Sequence, residues 1–481
     1  MAATVRNQRR NGALESFECT LHTTPAKRLI LVALGAKTPQ QQGGRPGHYD
    51  AGVAAPATFL EGGRMPEVVF SVDQSKSMRD QAVPGHNRWH PDIPPAASVR
   101  PGSEFRVECR EWTDSQLTNS DSANDVRDVN LSVAHMLSGP VEIEGAEPGD
   151  LLVVDILDLG PVQPPQEYGD APGQGWGYTG IFAKVNGGGF LTDHFPDAYK
   201  AIWDFHGQEC TSRHIPGVRY TGITHPGLFG TAPSADLLAK WNQREQALID
   251  TDPDRVPPLA LPPLEDGVLA GTLSGSELDR VGREGARTVP ARENGGNHDI
   301  KNFTRGSRVY YPVHVSGAKL SGGDLHFSQG DGEITFCGAI EMGGFIDFGV
   351  DLIKGGMATY GILENPVLIP GRVEPRYSEF MTFIGVSVSE HTGENLYLDA
   401  TVAYRRACLN AVEYLKKFGY SGEQAYLLLG SAPIEGRVSG VVDIPNACCS
   451  LYLPTAIFDF DIRPSKDGPS SASRGSAAKT S

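Results

Sequence analysis

The hydrophobic and polar positions of this chain alternate more often than they recur at helical spacing. From Glu104 to Cys109, the apolar Phe105, Val107 and Cys109 interleave with Glu104, Arg106 and Glu108, the period-two pattern of a strand with one buried face. Leu151 to Leu157 is a nearly continuous apolar run behind Pro148-Gly149-Asp150, and Val309 to Val315 and Gly332 to Ile340 repeat the strand pattern. Helical spacing is confined to a few segments. Ser234 is placed to cap a helix over Ala235 to Ile249, with Leu237, Leu238, Trp241 and Leu248 on one side. Ala403 to Phe418 gathers Ala407, Leu409, Val412, Tyr414 and Leu415 near one face, and Lys416, Lys417 and Gly419 mark its end. A shorter helix is expected from Glu423 to Leu429. Proline-rich stretches at Val162 to Gly175 and Val256 to Asp266 read as surface loops, and no repeat or heptad is present. The expected class is mixed α/β and β-rich, with helices near the middle and the end.

Length and composition refine this picture. A chain of 481 residues is too long for one simple core and implies two packed lobes or one large elaborated domain. Residues 1–64 mix Arg6, Arg9 and Arg10 with a Gln40–Gln42 run and lack periodicity, so they read as a flexible extension, with Met65 as an alternative start. Residues 65–463 form the expected catalytic domain. Residues 464–481, rich in Ser, Ala and Gly, read as a disordered tail. The formal charge of −16 argues against general affinity for nucleic acid and suits a neutral substrate. Seven scattered cysteines are no disulfide framework and point to a reducing, cytoplasmic setting. Leu29 to Ala36 is too short to span a bilayer, which takes about 20 residues, so no membrane partner is expected.

There is no phosphate loop, no dinucleotide fingerprint, no GxSxG elbow and no CxxC zinc pair, which leaves a set of dense polar motifs. The densest is Gly323-Asp324-Leu325-His326-Phe327-Ser328-Gln329-Gly330-Asp331-Gly332-Glu333. If Gly323 to Phe327 and Glu333 to Glu341 are strands, a hairpin closes at Gln329 to Gly332. Alternation then puts Asp324 and His326 on one face, and Glu333, Thr335, Cys337 and Glu341 on one face of the return strand. Carboxylates and an imidazole converging at a hairpin suit a metal or general acid/base site; the plainer reading is a polar turn. In His86-Asn87-Arg88-Trp89-His90-Pro91-Asp92, the prolines forbid a regular helix, and in a straight strand the two His Cα atoms would lie roughly 13 Å apart at ~3.3 Å per residue. At most one of the pair is then a primary ligand. Asn119 to Arg127 reads as a turn or helix cap. In Gly295-Gly296-Asn297-His298-Asp299-Ile300-Lys301, paired glycines permit close backbone approach, and Asn297, Asp299 and Lys301 could hold an amide or an oxyanion. Cys337 is the candidate nucleophile, although most cysteines in apolar strands are simply buried.

With these motifs, the chain closely resembles the formamidase branch of the formamidase/acetamidase family. The resemblance also rests on Leu137 to Pro140, Glu144 to Asp150, Gly175 to Phe182, Ser212 to Gly217 and Val442 to Ala447, in order from about Val68 to Ile462. It implies packed sheets with a few flanking helices, hydrolysis of short-chain amides (formamide foremost) to the carboxylic acid and ammonia, and a homo-oligomer. Acetamidase relatives carry Trp-Asp where this chain has Trp89-His90, a swap that suits a metal ligand. On this basis His326, Asp331 and His90 would hold a divalent ion, zinc being the expectation. Glu333 and Asp324 would handle protons, and Lys301, Asn297 or the Gly295-Gly296 backbone would stabilise the oxyanion. Trp89, Trp176 and Phe190 are candidate pocket walls. The rivals are a metal-free amidase using Cys337 and a non-catalytic binder of short amides or urea.

Overall fold

The computed structural model describes residues 65–162, 174–252, 263–371 and 375–469, with the short strands Ala3–Arg6, Glu18–Leu21 and Ala478–Lys479. Most of both expected loops, most of residues 1–64 and most of the C-terminal tail lie outside the described residues. Within the first unit, Met1–Arg64, the two strands pair antiparallel.

The second unit, Met65–Ser481, is built from sheets, as the alternating pattern predicts. A twelve-stranded sheet runs through its middle. At its heart the strand Leu320–Gln329 pairs with His225–Gly230 along one side and with Leu137–Ile143 and then Phe336–Met342 along the other. Every residue of Leu320–Gln329 is buried, so its ladder hydrogen bonds are made away from water. A six-stranded sheet places Leu151–Pro161 between Arg308–Pro312 and Gly344–Ile353, with Glu104–Cys109 and Glu67–Phe70 beyond. Glu104–Cys109 buries Phe105, Val107 and Cys109, the three residues its alternation marked for the core. The third sheet, Phe380–Val386, Cys448–Pro454 and Glu435–Gly440, packs against the helix Ala400–Lys416.

The helices follow their caps. Ser234 accepts from the Leu237 amide to open Ala235–Thr251, which buries Leu238 and Trp241. Gly422–Ser431 starts with a reciprocal capping box between Ser421 and Gln424. The helix expected from Ala403 begins earlier, at Ala400, because Asp399 rather than a later residue supplies the cap. The expected class, β-rich with packed sheets and flanking helices, is the one observed. No helix among the described residues is long and apolar enough to cross a membrane.

His86 ties the sheet to the segment before it, with Nδ1 2.8 Å from the Arg88 carbonyl and Nε2 2.7 Å from Ser321 Oγ. Its neutral ring donates once and accepts once, and burial lowers its pKa from 6.5 to about 4. Between those values the unfolded chain binds the proton and the fold does not, so stability falls as pH drops from about 6.5 to 4. At ~1.4 kcal/mol per unit, the loss approaches about 3 kcal/mol. Thermal unfolding followed from pH 7 to pH 5 should show a drop in Tm that His86→Gln flattens. An unchanged slope in the variant would contradict this assignment.

Candidate active site

The site grows from one cross-strand pair. His326 and Glu341 stand opposite each other in the ladder between Leu320–Gln329 and Phe336–Met342, as neighbours on one face of a sheet must. The register slips between His326 and Gln329, and the backbone at Asp324 turns to φ 54°. This irregularity aims Asp324 at the same point as His326. The return strand starts only at Phe336, so the expected shared face of Glu333, Thr335, Cys337 and Glu341 is corrected. Glu333 sits in the turn with φ 45°, and Phe336 follows with φ 87°. Asp299, at φ 49°, enters from the Gly295–Lys301 motif. Four non-glycine residues in an unfavourable backbone region around one site mark a local cost that the surrounding packing sustains.

The donor atoms of Asp324, His326 and Glu341 lie within 4.8 Å of one another, and so do those of Asp299, His326 and Glu333. Gly227 makes the convergence possible. A Cβ there would stand 2.4 Å from His326 Cε1, 2.7 Å from Asp299 Oδ1 and 2.8 Å from Asp324 Oδ2. Gly338 does the same for the Glu333 turn, where a Cβ would meet the Glu333 carbonyl oxygen at 2.4 Å.

Behind the imidazole, hydrogen bonds fix its tautomer. Gln329 Nε2 donates to the Asp299 carbonyl at 2.7 Å, which leaves Oε1 facing His326 Nδ1 at 2.9 Å. His225 Nδ1 lies 2.6 Å from the Ile223 carbonyl, and burial lowers the His225 pKa to about 3. His225 therefore donates at Nδ1 and turns a bare Nε2 towards His326 Nδ1, 3.2 Å away. Both neighbours accept, so His326 Nδ1 carries a proton and Nε2 faces the carboxylates. Nε2 is 3.1 Å from Glu341 Oε2 and 3.4 Å from Asp324 Oδ1, but neither contact has hydrogen-bond geometry. Among the described residues, His326 Nε2, Glu341 Oε2 and Asp299 Oδ1 are all buried without a hydrogen-bond partner.

Electrostatics explain the tension. Burial pushes the Glu341 carboxyl to about 8 and, with Asp324 beside it, Asp299 to about 7. Glu333 is held well above the carboxylate range by burial and then by Asp299. Burial alone would raise Asp324 too, but His326 and His135 hold it below its usual value. Burial opposes charge on His326, yet Glu341 and Asp324 outweigh it and hold its pKa well above 6.5.

The cluster opens on a cavity of about 270 Å³, walled by Trp112, His135, Phe190 and Phe336, with Asn297, Asp324, Glu333 and Glu341 at its polar end. Glu341 also reaches a second cavity of about 230 Å³ that holds Glu111, Trp176 and Tyr178. Of the expected wall residues, Phe190 lines the first cavity and Trp176 the second. Trp89 instead packs in a buried cluster with Leu228 and Trp241.

Thus the structure brings together Asp324, His326, Glu333 and Asn297, and leaves three other expected residues outside. His90 Nε2 lies 3.1 Å from Glu284 Oε2, on the helix Gly275–Glu284. Asp331 forms an ion pair with Lys301, whose Nζ also donates to the Ile434 carbonyl at 2.9 Å. Neither His90 nor Asp331 shares a ligand cluster with His326, and Lys301 does not line the cavity. Asp299 lay in a motif the sequence had marked, and Glu341 on a strand it had drawn. His135, Trp112 and His225 come from segments whose pattern gave no sign of them.

With this geometry in hand, similarity becomes informative. Residues 71–460 match the acetamidase/formamidase family. The chain belongs to that family. A protein of Mycolicibacterium smegmatis named acetamidase is 77% identical over 77% of this chain and 91% of its own. The formamidase of Methylophilus methylotrophus is 60% identical over 84% of this chain and 96% of its own. A structure described as a gamma lactamase from Delftia acidovorans superposes with a TM-score of 0.81 at 57% identity, covering 86% of this chain and 100% of that one. As a family member the chain is an amide hydrolase.

Cys337 has no part in the cavity. It is fully buried opposite Gly180, and burial, then Glu341 and Glu333, push its thiol well above the usual range, away from the reactive thiolate. Cys337→Ala should keep near wild-type kcat/KM in an initial-rate ammonia assay. A loss of about 10² or more would restore it as nucleophile.

Proposed function

We propose that this acetamidase/formamidase family member hydrolyses short-chain aliphatic amides, formamide among them, to the carboxylic acid and ammonia at the His326 cluster. The observation that carries this reading is a complementary pair in the cavity walls. Trp112 Nε1, a donor, and Asn297 Oδ1, an acceptor, are both buried with no partner among the described residues. A primary amide offers the converse, an oxygen that accepts and an NH₂ that donates. Asn297 Nδ2 donates to the Val289 carbonyl at 3.0 Å, which fixes Oδ1 as the free end. Asn297 then holds the amide nitrogen rather than the oxyanion.

The donor set fits a divalent cation. Metal bonds of ~2.0–2.1 Å give a tetrahedral edge of roughly 3.4 Å, close to the His326–Glu341 and His326–Asp324 separations of 3.1 and 3.4 Å. Asp324, His326 and Glu341 would hold the ion, and an imidazole with carboxylates suits zinc and other first-row metals. When bound, such an ion lowers the pKa of an adjacent water towards about 7. Glu333 and Asp299 face each other as a half-buried pair that resists ionising twice. Glu333, the partner that reaches the cavity, takes the proton of the attacking water from the state in which Asp299 holds the pair's shared proton, and returns it to the amide nitrogen, so that ammonia leaves. His135, kept neutral by burial, and Trp112 are the donors available to the carbonyl oxygen.

At about 270 Å³ the cavity lies just below typical small-molecule pockets of ~300–1,000 Å³. It has room for more than a one-carbon acyl group. The relatives named acetamidase and gamma lactamase support that breadth.

The test is ammonia and carboxylate release from formamide and acetamide. Glu333→Gln should lower kcat by about 10²–10⁴ while KM changes little. Full activity in that variant would remove Glu333 from the reaction. Asn297→Ala should chiefly raise KM, and an unchanged KM would contradict its place on the amide nitrogen. Gly227→Ala should fold yet lose activity, because its Cβ occupies the space where His326, Asp299 and Asp324 meet. A fully active Gly227→Ala enzyme would contradict the convergence.

A further inference from the structure

A second convergence of nitrogen and oxygen donors lies outside this site. His194 Nε2 is 3.7 Å from Glu390 Oε1, and His391 Nε2 is 3.5 Å from the same oxygen. The donor atoms of all three residues lie within 4.8 Å of one another. The two imidazoles stack with centroids 6.0 Å apart and planes 14° from parallel, so both present Nε2 to one carboxylate. These separations are too long for hydrogen bonds, which want ~2.7–3.2 Å, and they approach the roughly 3.4 Å edge of a tetrahedral zinc site. Both His rings reach solvent, at 36% and 57% side-chain exposure, so an ion can enter without unfolding anything.

We propose that His194, Glu390 and His391 form a peripheral site for a first-row transition ion of the zinc, nickel or copper class, and that its occupancy alters the active-site wall. The link is Arg405. Its Nε is bonded to Glu390 Oε1, its Nη1 donates to the Phe190 carbonyl at 2.5 Å, and its Nη2 is 3.4 Å from Asp193. Phe190 lines the catalytic cavity. An ion that takes Glu390 Oε1 competes with Arg405 for that oxygen and loosens the grip of Arg405 on the Phe190 segment. Stacked rings beside an arginine-bound carboxylate thus make a site whose filling is felt at the cavity. The binding claim stands without the amide-hydrolase reading; the coupling claim rests on it.

The experiment is calorimetric titration of the purified enzyme with Ni²⁺, beside His194→Ala/His391→Ala, a pair that leaves the catalytic machinery untouched. Wild type should bind one more ion per chain than the double variant. Added Ni²⁺ should reduce wild-type turnover several-fold and leave that of the variant unchanged. Equal stoichiometry in the two proteins would overturn the site. An extra ion bound with no difference in turnover would overturn the coupling, and equal inhibition of both would assign the effect to the catalytic cluster.

Discussion

Four carboxyl groups crowd one buried imidazole in this protein, Asp324 and Glu341 buried and Asp299 and Glu333 half-buried, and they cannot all ionise there without compensating positive charge. The conflict is eased on three sides. His326 supplies a basic nitrogen. Protons shared between neighbouring carboxyls remove some of the charge, and a cation at the unpartnered atoms would remove more. The rest of the architecture holds these groups in place against their repulsion. Ladder pairing fixes His326 against Glu341, Asp324 two residues away meets the same point with its backbone at φ 54°, and Gly227 leaves the space in which they meet.

The network behind the cluster matters as much as its ligands. Gln329 bonds to both Asp299 and His326, and His225, neutral because it is buried beside His326, is bonded through Nδ1 to the Ile223 carbonyl. Together they turn Nδ1 of His326 to acceptors and Nε2 to the carboxylates, where a cation would take the place of a proton. The strained turn at Glu333 extends this design, because a regular strand from Glu333 to Glu341 would have held the two carboxyls roughly 26 Å apart at ~3.3 Å per residue.

Much of the fold was legible in the sequence. Alternation located Glu104–Cys109, the apolar run located Leu151–Pro161, and Ser234 announced its helix. The site was legible in part. The density of polar residues around Asp324 and His326 marked the right hairpin, and the glycine pair before Asn297 marked a second contributor. What failed was register. A two-residue period cannot reveal a bulge, so Glu333 was drawn into a strand whose first residue is Phe336. Nor can spacing show that His90 is bonded to Glu284 or Asp331 to Lys301, since those partners are 194 and 30 residues away. His135 and Trp112 are invisible for the same reason: only tertiary packing makes them walls.

The account stands or falls on whether the buried cluster binds a cation that the reaction needs. The most direct measurement is metal content by mass spectrometry alongside amide turnover, on the same preparation before chelation, after it, and after return of a single divalent ion. The account predicts about one tightly held ion per chain at this cluster, activity lost with it, and activity regained on its return. Full turnover by enzyme stripped of metal would contradict it and leave the carboxyl pair to act alone.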